Sequence, residues 1–467
     1  MTTLEMADVQ GLVVSGYAQM HSARYVMLRV NAPAEARRRL GELADRLTSA
    51  ERAERPGCVN VAFTGTGLAA LGLSADELDT FAPPFREGMI TRYRQRVLGD
   101  TGPSDPAGWR WGHPGTTGPS AGRLHMLLLL YAGDEPAVLA LEDDEVGRLT
   151  AGGAFEVLHT LSPEPLPGTQ SLGKKFGVEH FGFADGMSQP VIAGTGQETR
   201  LGGDEARRQV VAAGEFVLGY ANGYGKVTPS PKVRGGDFGR NGTYLVVRQL
   251  AQDVAGFNRF LAEATDDGTG IRRDAAIERL AAKLVGRWRS GTSLVRSPHR
   301  DDVDLAEDNG FGFAEVDPYG ERCPIGAHTR RANPRDGLGA DPRRSVELAN
   351  LHRIVRRGRV YGPAPDDPFT DDGQDRGLIF ICVNANIDRQ FEFIHHTWLN
   401  NRHFGGLYDE QDPLLGTPSP RGGTFTVPEE PFAGRVHSIP SVVTTRGGAY
   451  FFLPGIDAVR RLGRLSR

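Results

Sequence analysis

Hydrophobic positions in the first half of the chain recur with two periods, which predict strands and helices in turn. Val26, Leu28 and Val30 alternate with other residues, as on one face of a strand. After Asn31 and Pro33, apolar residues recur at the 3.6-residue spacing of an amphipathic helix. The same patterns give, in order, a strand at 24–30, a helix opened by Asn31, a strand at 58–63, a strand at 124–132, a helix at 136–149 and a strand at 155–161.

The second half repeats this order of elements less regularly. The predicted strands lie at 215–220, 242–247, 353–360, 378–383 and 449–453, and the predicted helices at 253–263, 275–288 and 388–400. Strand, helix, strand, strand, helix, strand is the split βαβ, or ferredoxin-like, order. The pattern predicts an α+β fold of two ferredoxin-like halves with antiparallel sheets, as an N-terminal domain at 1–200 and a C-terminal domain at 201–467.

The composition narrows the classes of function. Of the 467 residues, 39% are hydrophobic and 24% are charged, as in an ordinary globular protein. Lys and Arg total 54 and Asp and Glu total 58, so the net charge is −4. No block of like charges suggests a surface for polyanions, so nucleic acid is not expected as a partner.

The cysteine pattern and the apolar segments predict a cytoplasmic location. Cys58, Cys323 and Cys382 are too few and too scattered for a disulfide framework or a cysteine-rich metal site. Residues 1–20 lack the basic region and the continuous apolar core of a secretory signal. The longest apolar run, 126–132, is far shorter than the roughly 20 residues of a membrane span. No membrane partner is expected.

Three short stretches carry candidate chemistry, and the first places a carboxylate in an apolar turn. It is HFGFADGMSQP at 180–190, in which Asp185 lies between Gly182 and Gly186. Burying a carboxylate is costly unless it is paired, hydrogen-bonded or chemically used. Asp-Gly is also a common turn dipeptide. This stretch alone leaves a turn residue and a catalytic residue as alternatives.

The second stretch, CPIGAHTRRANPRD at 323–336, surrounds a histidine with arginines. His328 precedes Arg330, Arg331 and Arg335. The histidine can be an ordinary loop residue or a ligand of a metal or of haem iron. Arginines beside such a ligand can pair with carboxylates, and haem propionates are carboxylates of this kind.

The third stretch, HRIVRRGRVYG at 352–362, predicts a strand with an inward-facing arginine. Arg356 and Arg357 are neighbours, so a strand directs them to opposite faces and one of them faces the interior. A buried arginine needs a negative partner. Any nearby carboxylate would serve, and Asp185 across a cavity is the more specific candidate.

His395 and His396 resemble a pair of metal ligands, but their spacing argues otherwise. Adjacent residues on a helix point about 100° apart, which is a poor chelating geometry. His395 also falls on the apolar stripe of Phe391 and Trp398 at helical spacing. A packed histidine is therefore expected at 395.

Taken together, the three stretches resemble the dye-decolorizing peroxidases, in particular their long bacterial and fungal branch. The GxxDG motif of that family matches 182–186, its proximal histidine motif is similar to HTRRANPR at 328–335, and its distal arginine strand is similar to IVRRG at 354–358. GxxDG alone is a weak signal, whereas the three motifs in this order are specific. Segments at 63–73, 85–89, 241–254 and 446–454 also look like family segments, so the resemblance covers nearly the whole chain.

The resemblance implies a haem b enzyme whose cofactor is held mainly by the C-terminal half. His328 would be the proximal ligand of the iron, and Asp412 the carboxylate on its other ring nitrogen. The residues that the resemblance places at the cofactor are His328, Gly182, Phe183, Gly186, Arg331, Leu378, Phe380 and Asp412. A helix cap before Pro413 is the alternative for Asp412, and ordinary core packing is the alternative for Leu378 and Phe380.

For catalysis, the resemblance implies Asp185 as the distal acid or base and Arg356 as the group that stabilises bound peroxide. The enzyme would reduce hydrogen peroxide and oxidise phenolic, dye-type or metal-ion donors through a ferryl intermediate. Best activity below neutral pH is expected, because a carboxylic acid ionises at lower pH than an imidazole. A haem-dependent tailoring oxidase of one metabolite and a non-catalytic haem carrier or sensor stay open as alternatives.

Overall fold

The structure is a computed structural model that describes residues 3–51, 56–115, 122–166, 177–269, 271–417, 419–429 and 432–465. Within these ranges the chain forms two α+β halves that share one large antiparallel sheet. None of the helices in them combines the length and the apolar composition needed to cross a bilayer.

The N-terminal half follows the predicted order of elements. Its helices and strands are β1 (Ser22–Val30), α1 (Pro33–Leu43), β2 (Gly57–Phe63), α2 (Gly65–Ala70), α3 (Ala75–Leu78), α4 (Pro83–Glu87), α5 (Arg92–Leu98), β3 (Met126–Ala132), α6 (Glu135–Thr150) and β4 (Phe155–Leu161). The strands lie in the order β2-β3-β1-β4, which is the ferredoxin-like arrangement. The nearly continuous apolar run of β3 is explained by its position between β2 and β1, where the whole strand is buried.

Short elements connect the halves, and the C-terminal half then repeats the arrangement with additional helices. The connection contains β5 (Val191–Ile192), α7 (Gly203–Gln209), β6 (Val210–Val211), β7 (Lys232–Val233) and β8 (Gly236–Asp237). The C-terminal half contains β9 (Thr243–Gln252), α8 (Val254–Ala264), α9 (Asp274–Val285), α10 (His328–Ala332), α11 (Pro342–Asn350), β10 (Val355–Arg356), β11 (Arg359–Tyr361), β12 (Gly377–Asn384), β13 (Gly423–Val427), β14 (Gly434–Ile439), β15 (Val443–Leu453) and α12 (Ile456–Gly463).

The two halves are joined edge to edge in one sheet. The C-terminal strands lie in the order β10-β12-β9-β15, with β11 also on β12, and β15 pairs with β2 of the first half. Phe452 of β15 lies opposite Phe63 of β2. Both side chains are fully buried in one hydrophobic cluster that contains residues of both halves. The predicted fold class, two ferredoxin-like halves with antiparallel sheets, is therefore confirmed.

One face of the C-terminal part of this sheet forms the floor of the candidate site. Register places Arg356 opposite Cys382, Cys382 opposite Val246, and Phe380 opposite Arg248. Because alternate residues of a strand share a face, Arg356, Phe380 and Arg248 all project from the same side. A separate hydrophobic cluster of α8, α9 and the segments around Phe311 and Phe425 packs in this half of the chain.

Three sequence predictions need correction in this half. The strand predicted at 215–220 is wrong, because its apolar residues are buried within consecutive turns and Gly219 has a φ of +91°. The strand predicted at 353–360 is two short strands separated at Gly358, where a Cβ would lie 2.8 Å from the Ile379 carbonyl oxygen. The helix predicted at 388–400 is present, but its hydrogen bonding is of the π type at Asp388–Glu392 and Ile394–Leu399.

Candidate active site

Asp185 projects from a tight turn that its neighbours build. Val178 and Ala184 form an antiparallel bridge, and the Asp185 amide donates to the Gly177 carbonyl at 2.9 Å. The Asp185 Oδ1 accepts a hydrogen bond of 2.6 Å from the Gly186 amide. The carboxylate is 46% exposed. The turn thus presents Asp185 outward instead of burying it.

The buried side chain that supports this turn is Glu179, which the sequence analysis did not single out. Its carboxylate accepts hydrogen bonds from the backbone amides of Phe181 at 3.0 Å and Phe183 at 2.9 Å, and one from the side chain of Gln252. Burial raises the pKa of Glu179 against the effect of these hydrogen bonds. Glu179 therefore fixes the backbone immediately before Asp185.

Gly182 and Phe183 lie against the side chain of Arg289. Gly182 has a φ of +91°, and a Cβ there would lie 2.7 Å from the Arg289 guanidinium. The Phe183 ring is buried among the apolar residues of α8 and α9 and has the Arg289 guanidinium 5.0 Å from its centroid. Both residues accommodate Arg289, and their contact with a cofactor stays a prediction. Gly186, with a φ of +86°, completes the turn after Asp185.

Arg356 faces Asp185 from β10. The two side chains approach to 3.6 Å between Arg356 Nη2 and Asp185 Oδ1, and Arg356 is 37% exposed. Arg356 Nη2 also donates to the Met187 carbonyl at 2.9 Å. Its backbone amide donates to Gln189 Oε1 at 3.0 Å. These contacts hold an acid and a cation side by side at one surface.

His328 begins α10 and is oriented by Asp412. Its Nδ1 lies 2.9 Å from Asp412 Oδ2, and the Asp412 side chain is fully buried. Asp412 Oδ1 accepts hydrogen bonds from the Leu414 and Leu415 amides at 2.9 and 2.7 Å. The carboxylate thus caps the following turn and also bonds the histidine, so both roles weighed for Asp412 are combined.

The electrostatics of this pair favour a charged carboxylate. Burial opposes both charges, but the mutual interaction raises the pKa of His328 and lowers that of Asp412. With Nδ1 donating to Asp412, the Nε2 of His328 keeps its lone pair for a ligand. The charges of Arg356 and Asp185 also act on the His328 ring. The two groups of residues therefore lie in one region of the structure.

Arg331 is hydrogen-bonded to several buried backbone carbonyl groups. It is fully buried, and its guanidinium donates to the carbonyl oxygens of Gly326 at 3.1 Å, Trp398 at 2.7 Å, Asn401 at 3.0 Å and Glu410 at 2.7 Å. A guanidinium has five N–H donors, so these bonds use nearly all of them. The Arg331 side chain thus joins the backbone segments around His328, and a contact between Arg331 and the cofactor stays a prediction.

Replacing Arg331 with methionine is expected to lower the free energy of unfolding by about 3–5 kcal/mol, because it leaves several buried carbonyl groups without partners. Urea unfolding of the purified protein measures this loss. The exposed Arg344, replaced in the same way, is the matched control and should change stability by less than about 0.5 kcal/mol. A loss below about 1 kcal/mol for Arg331→Met would contradict the assignment.

A cavity lies on the sheet face that carries Phe380, next to the Leu415 segment that bonds Asp412. It is a partly open pocket of about 50 Å³, and its lining includes Phe380, Leu250, Leu415, His395 and Arg248. Phe380 and Leu378 are both half-buried on their strand. The position of Phe380 fits the apolar lining that the resemblance implies. Leu378 is not among the lining residues of this cavity, so the structure leaves its core-packing alternative in place.

His395 lines this cavity and packs against an aromatic ring. Its ring packs 4.6 Å from that of Phe391, as expected for a packed histidine. Burial lowers its pKa to about 3, so the ring is neutral. Among the described residues, no group of three or more His, Cys, Asp or Glu side chains is arranged to hold a metal ion.

These residues fit a bound haem. The available Nε2 of His328, backed by the Asp412 carboxylate, is the donor arrangement of a histidine ligand to iron. A pocket lined in part by Phe380 and Leu250 includes Leu415, whose amide bonds Asp412, and Asp185 with Arg356 supplies an acid beside a cation. The sequence analysis did not single out Glu179, Gln189 and Arg248, because each contributes through contacts with distant parts of the chain.

Comparison with known proteins gives consistent similarities over nearly the full length of the chain. No family model matches. The dye-decolorizing peroxidase msp1 of Mycetinis scorodonius is 31% identical over 484 residues, which cover 98% of this chain and 87% of that protein.

Solved structures show the same similarity in three dimensions. A dye-decolorizing peroxidase whose heme pocket was engineered for asymmetric sulfoxidation superposes with a TM-score of 0.81 at 26% identity, over 99% of this chain and 100% of that one. A dye-decolorizing peroxidase in complex with 2,6-dimethoxyphenol gives a TM-score of 0.78 at 26% identity, over 98% of this chain and 100% of that one.

Proposed function

This chain belongs to the dye-decolorizing peroxidases and is a haem peroxidase that acts on hydrogen peroxide and on phenolic or dye donors, and on this premise we propose how its own residues perform the reaction. We assign the iron ligand to His328, the proton transfers to Asp185 and the stabilisation of charge on peroxide to Arg356. The observations that carry these assignments are that Asp412 Oδ2 lies 2.9 Å from Nδ1 of His328 and that Arg356 Nη2 lies 3.6 Å from Asp185 Oδ1.

His328 and Asp412 form the proximal side of the proposed site. Asp412 accepts the Nδ1 proton, fixes the tautomer and makes the ring a stronger electron donor through Nε2. We propose haem b, bound without covalent links, because the chain has no CxxCH sequence of the kind that attaches haem through cysteines.

Asp185 and Arg356 form the distal side. Haem, when bound, supplies an iron centre that takes two oxidising equivalents from peroxide and passes them to donors. Asp185 accepts a proton from the peroxide oxygen that binds and delivers a proton to the oxygen that leaves as water. Arg356 donates hydrogen bonds to the oxygen on which negative charge develops. The 3.6 Å separation of the two side chains lets both reach one small molecule.

The activity is tested with the purified haem-loaded protein and 2,6-dimethoxyphenol. We expect peroxide-dependent oxidation of this phenol, with a rate that saturates in both substrates. A protein that retains haem but oxidises neither a phenol nor a dye at any peroxide concentration would contradict the proposal.

Replacing Asp412 with asparagine is expected to lower the peroxide-dependent rate by about 10- to 100-fold, because the ring of His328 loses its anionic partner. The reduction potential of the iron should rise, since a weaker donor stabilises the oxidised iron less. Spectroelectrochemical titration measures the potential independently of turnover. The exposed Asp409, replaced by asparagine, is the control. An unchanged potential in Asp412→Asn would contradict the role assigned to Asp412.

A further inference from the structure

The segment immediately before Asp185 is contacted by Arg289, which follows α9 in the chain. The carbonyl oxygen of Arg289 accepts a hydrogen bond of 2.9 Å from the Ala184 amide. The guanidinium of Arg289 donates through Nη1 to the Phe181 carbonyl and lies 5.0 Å from the centroid of the Phe183 ring. The backbone and the side chain of Arg289 thus hold both ends of the segment that leads to the carboxylate.

The guanidinium of Arg289 is oriented by Glu278, which lies on α9. The Nε of Arg289 donates to the two carboxylate oxygens of Glu278 at 2.9 and 2.8 Å. Arg289 is 23% exposed and Glu278 is 42% exposed. A planar guanidinium that is held at Nε by a carboxylate and on one face by an aromatic ring has little rotational freedom. Its Nη1 therefore stays directed at the Phe181 carbonyl.

Glu179 bonds the remaining amides of the same segment. Its carboxylate accepts two of the amides of 181–184, and its carbonyl oxygen accepts the Gly182 amide at 2.8 Å. The fourth amide, that of Ala184, is the one that donates to the Arg289 carbonyl. Every amide of 181–184 is thus bonded by Glu179 or Arg289, which leaves the backbone little freedom to rearrange.

The Asp185 carboxylate depends on this backbone for its position. Among the residues that the structure describes, it accepts a single hydrogen bond, of 2.6 Å, from the Gly186 amide of its own turn. Arg356 Nη2 lies 3.6 Å away, which is beyond hydrogen-bond distance. The carboxylate is exposed, so packing does not hold it either. A shift of the preceding backbone therefore moves Asp185 relative to Arg356.

The chain after Asp185 is held by other groups. Arg356 and Arg353 donate through Nη2 to the carbonyl oxygens at positions 187 and 188, at 2.9 and 2.7 Å. Removal of the Arg289 side chain leaves these contacts in place. It therefore frees the backbone on one side of Asp185 without removing a bond made by Arg356.

We propose that Arg289 is a positioning residue for Asp185 and that Glu278 keeps its guanidinium in place. Arg289 holds the carboxylate within reach of the peroxide molecule that Arg356 contacts. The proposal rests on the proposed function, because Arg289 acts only through Asp185. A displacement of about 1 Å at a reacting group can lower a rate by about 100-fold, so a residue that does not touch peroxide can govern the reaction.

The test uses the haem-loaded full chain and the variant Arg289→Met, alone and combined with Asp185→Asn. Stopped-flow absorbance gives the second-order rate constant for reaction with hydrogen peroxide. Amide hydrogen exchange of the peptide at 177–186, followed by mass spectrometry, reports on the turn independently of activity. Arg279→Met is the matched control, because Arg279 is an arginine of α9 whose carboxylate partner is Glu429.

We expect Arg289→Met to lower the peroxide rate constant by about 10- to 100-fold when Asp185 is present. In the Asp185→Asn protein the same change should lower it by less than about twofold, because the group that Arg289 positions is already lost. Exchange at 177–186 should become at least about tenfold faster, since the Phe181 carbonyl loses a charged donor. Arg279→Met should alter neither quantity by more than about twofold.

Equal slowing by Arg289→Met with and without the Asp185 carboxylate would show that Arg289 supports the structure in general, and would overturn the proposal. An unchanged peroxide rate constant in Arg289→Met would overturn it too, whatever the exchange rate. If Arg289→Met does not fold, the exposed Glu278 decides the matter. Glu278→Ala should slow the peroxide reaction by about two- to fivefold, and only when Asp185 is present. No slowing, or equal slowing in both backgrounds, would overturn the proposal.

Failure of the proposed function gives a different result. Wild-type protein that retains haem but does not react with peroxide contradicts the proposed function, and with it the role of Arg289. An Asp185→Asn protein that reacts at the wild-type rate does the same. Slow reaction of Asp185→Asn together with unchanged reaction of Arg289→Met removes only the role of Arg289.

Discussion

Arg356→Leu and Asp185→Asn are each expected to lower the second-order rate constant for reaction with hydrogen peroxide by at least about 100-fold. Arg356 supplies the positive charge that developing negative charge on peroxide requires, and removal of one such donor costs about 100- to 1000-fold. Asp185 moves the proton, and removal of a positioned acid or base costs about 100- to 10,000-fold. Stopped-flow absorbance of the Soret band, at several peroxide concentrations, measures this constant directly.

The double variant Arg356→Leu/Asp185→Asn tests whether the two side chains act on the same peroxide molecule. Because the two side chains lie 3.6 Å apart and act on one molecule, their effects should not multiply. Arg357→Leu is the matched control, since this neighbour faces the other side of the sheet and donates to the carbonyls of Leu12 and Val13. It should cost stability but change the peroxide rate by less than about threefold. A single variant at Arg356 or Asp185 with wild-type peroxide kinetics would contradict the role assigned to that residue.

His328→Gly is expected to lose more than about 100-fold in haem retention and nearly all activity. Loss of a residue that only supports a metal ligand already costs about 10- to 100-fold, and His328 is the proposed ligand itself. The glycine leaves space beside Asp412, so added imidazole should bind there, accept the same carboxylate and restore part of the activity. Haem content by absorbance and turnover with and without imidazole measure both effects.

His396→Gly provides the control for imidazole. His396 is exposed on the π-helical segment, so its removal should leave haem content unchanged, and imidazole should not increase its activity. Full haem retention and wild-type turnover in His328→Gly would mean that another residue holds the iron.

The sequence predicted well those elements whose burial follows directly from the local pattern of hydrophobic residues. All four strands of the N-terminal half lie where alternation or a continuous apolar run placed them, because each contributes one or two full faces to the core. The segment at 215–220 failed because its buried apolar residues serve a series of turns, and burial alone does not separate a strand from a turn. The π-type hydrogen bonding at 388–399 likewise leaves no mark on an apolar stripe.

Some residues of the candidate site were likewise predictable from the sequence, and others were not. Asp185, Arg356, His328 and Asp412 were found because each lies in a motif that resembles a known family, and the structure brings them to one region. Arg331 was assigned to a cofactor on the basis of its neighbours in sequence, whereas its guanidinium is used by four backbone carbonyls. A sequence shows which residues carry charge, but not which partner each charge meets.

The residues that the sequence could not reveal are joined by contacts over long distances along the chain. Glu179 acts through Gln252, and Arg353 acts through Ser188, which lies 165 residues before it.

The most direct test of the central claim is an absorbance spectrum of the purified haem-loaded protein before and after one equivalent of hydrogen peroxide. The account predicts a Soret band that shifts within the mixing time and returns when a phenol is added, and that barely responds in Asp185→Asn. A Soret band that is indifferent to peroxide in the wild type would contradict the account and favour a haem carrier or sensor.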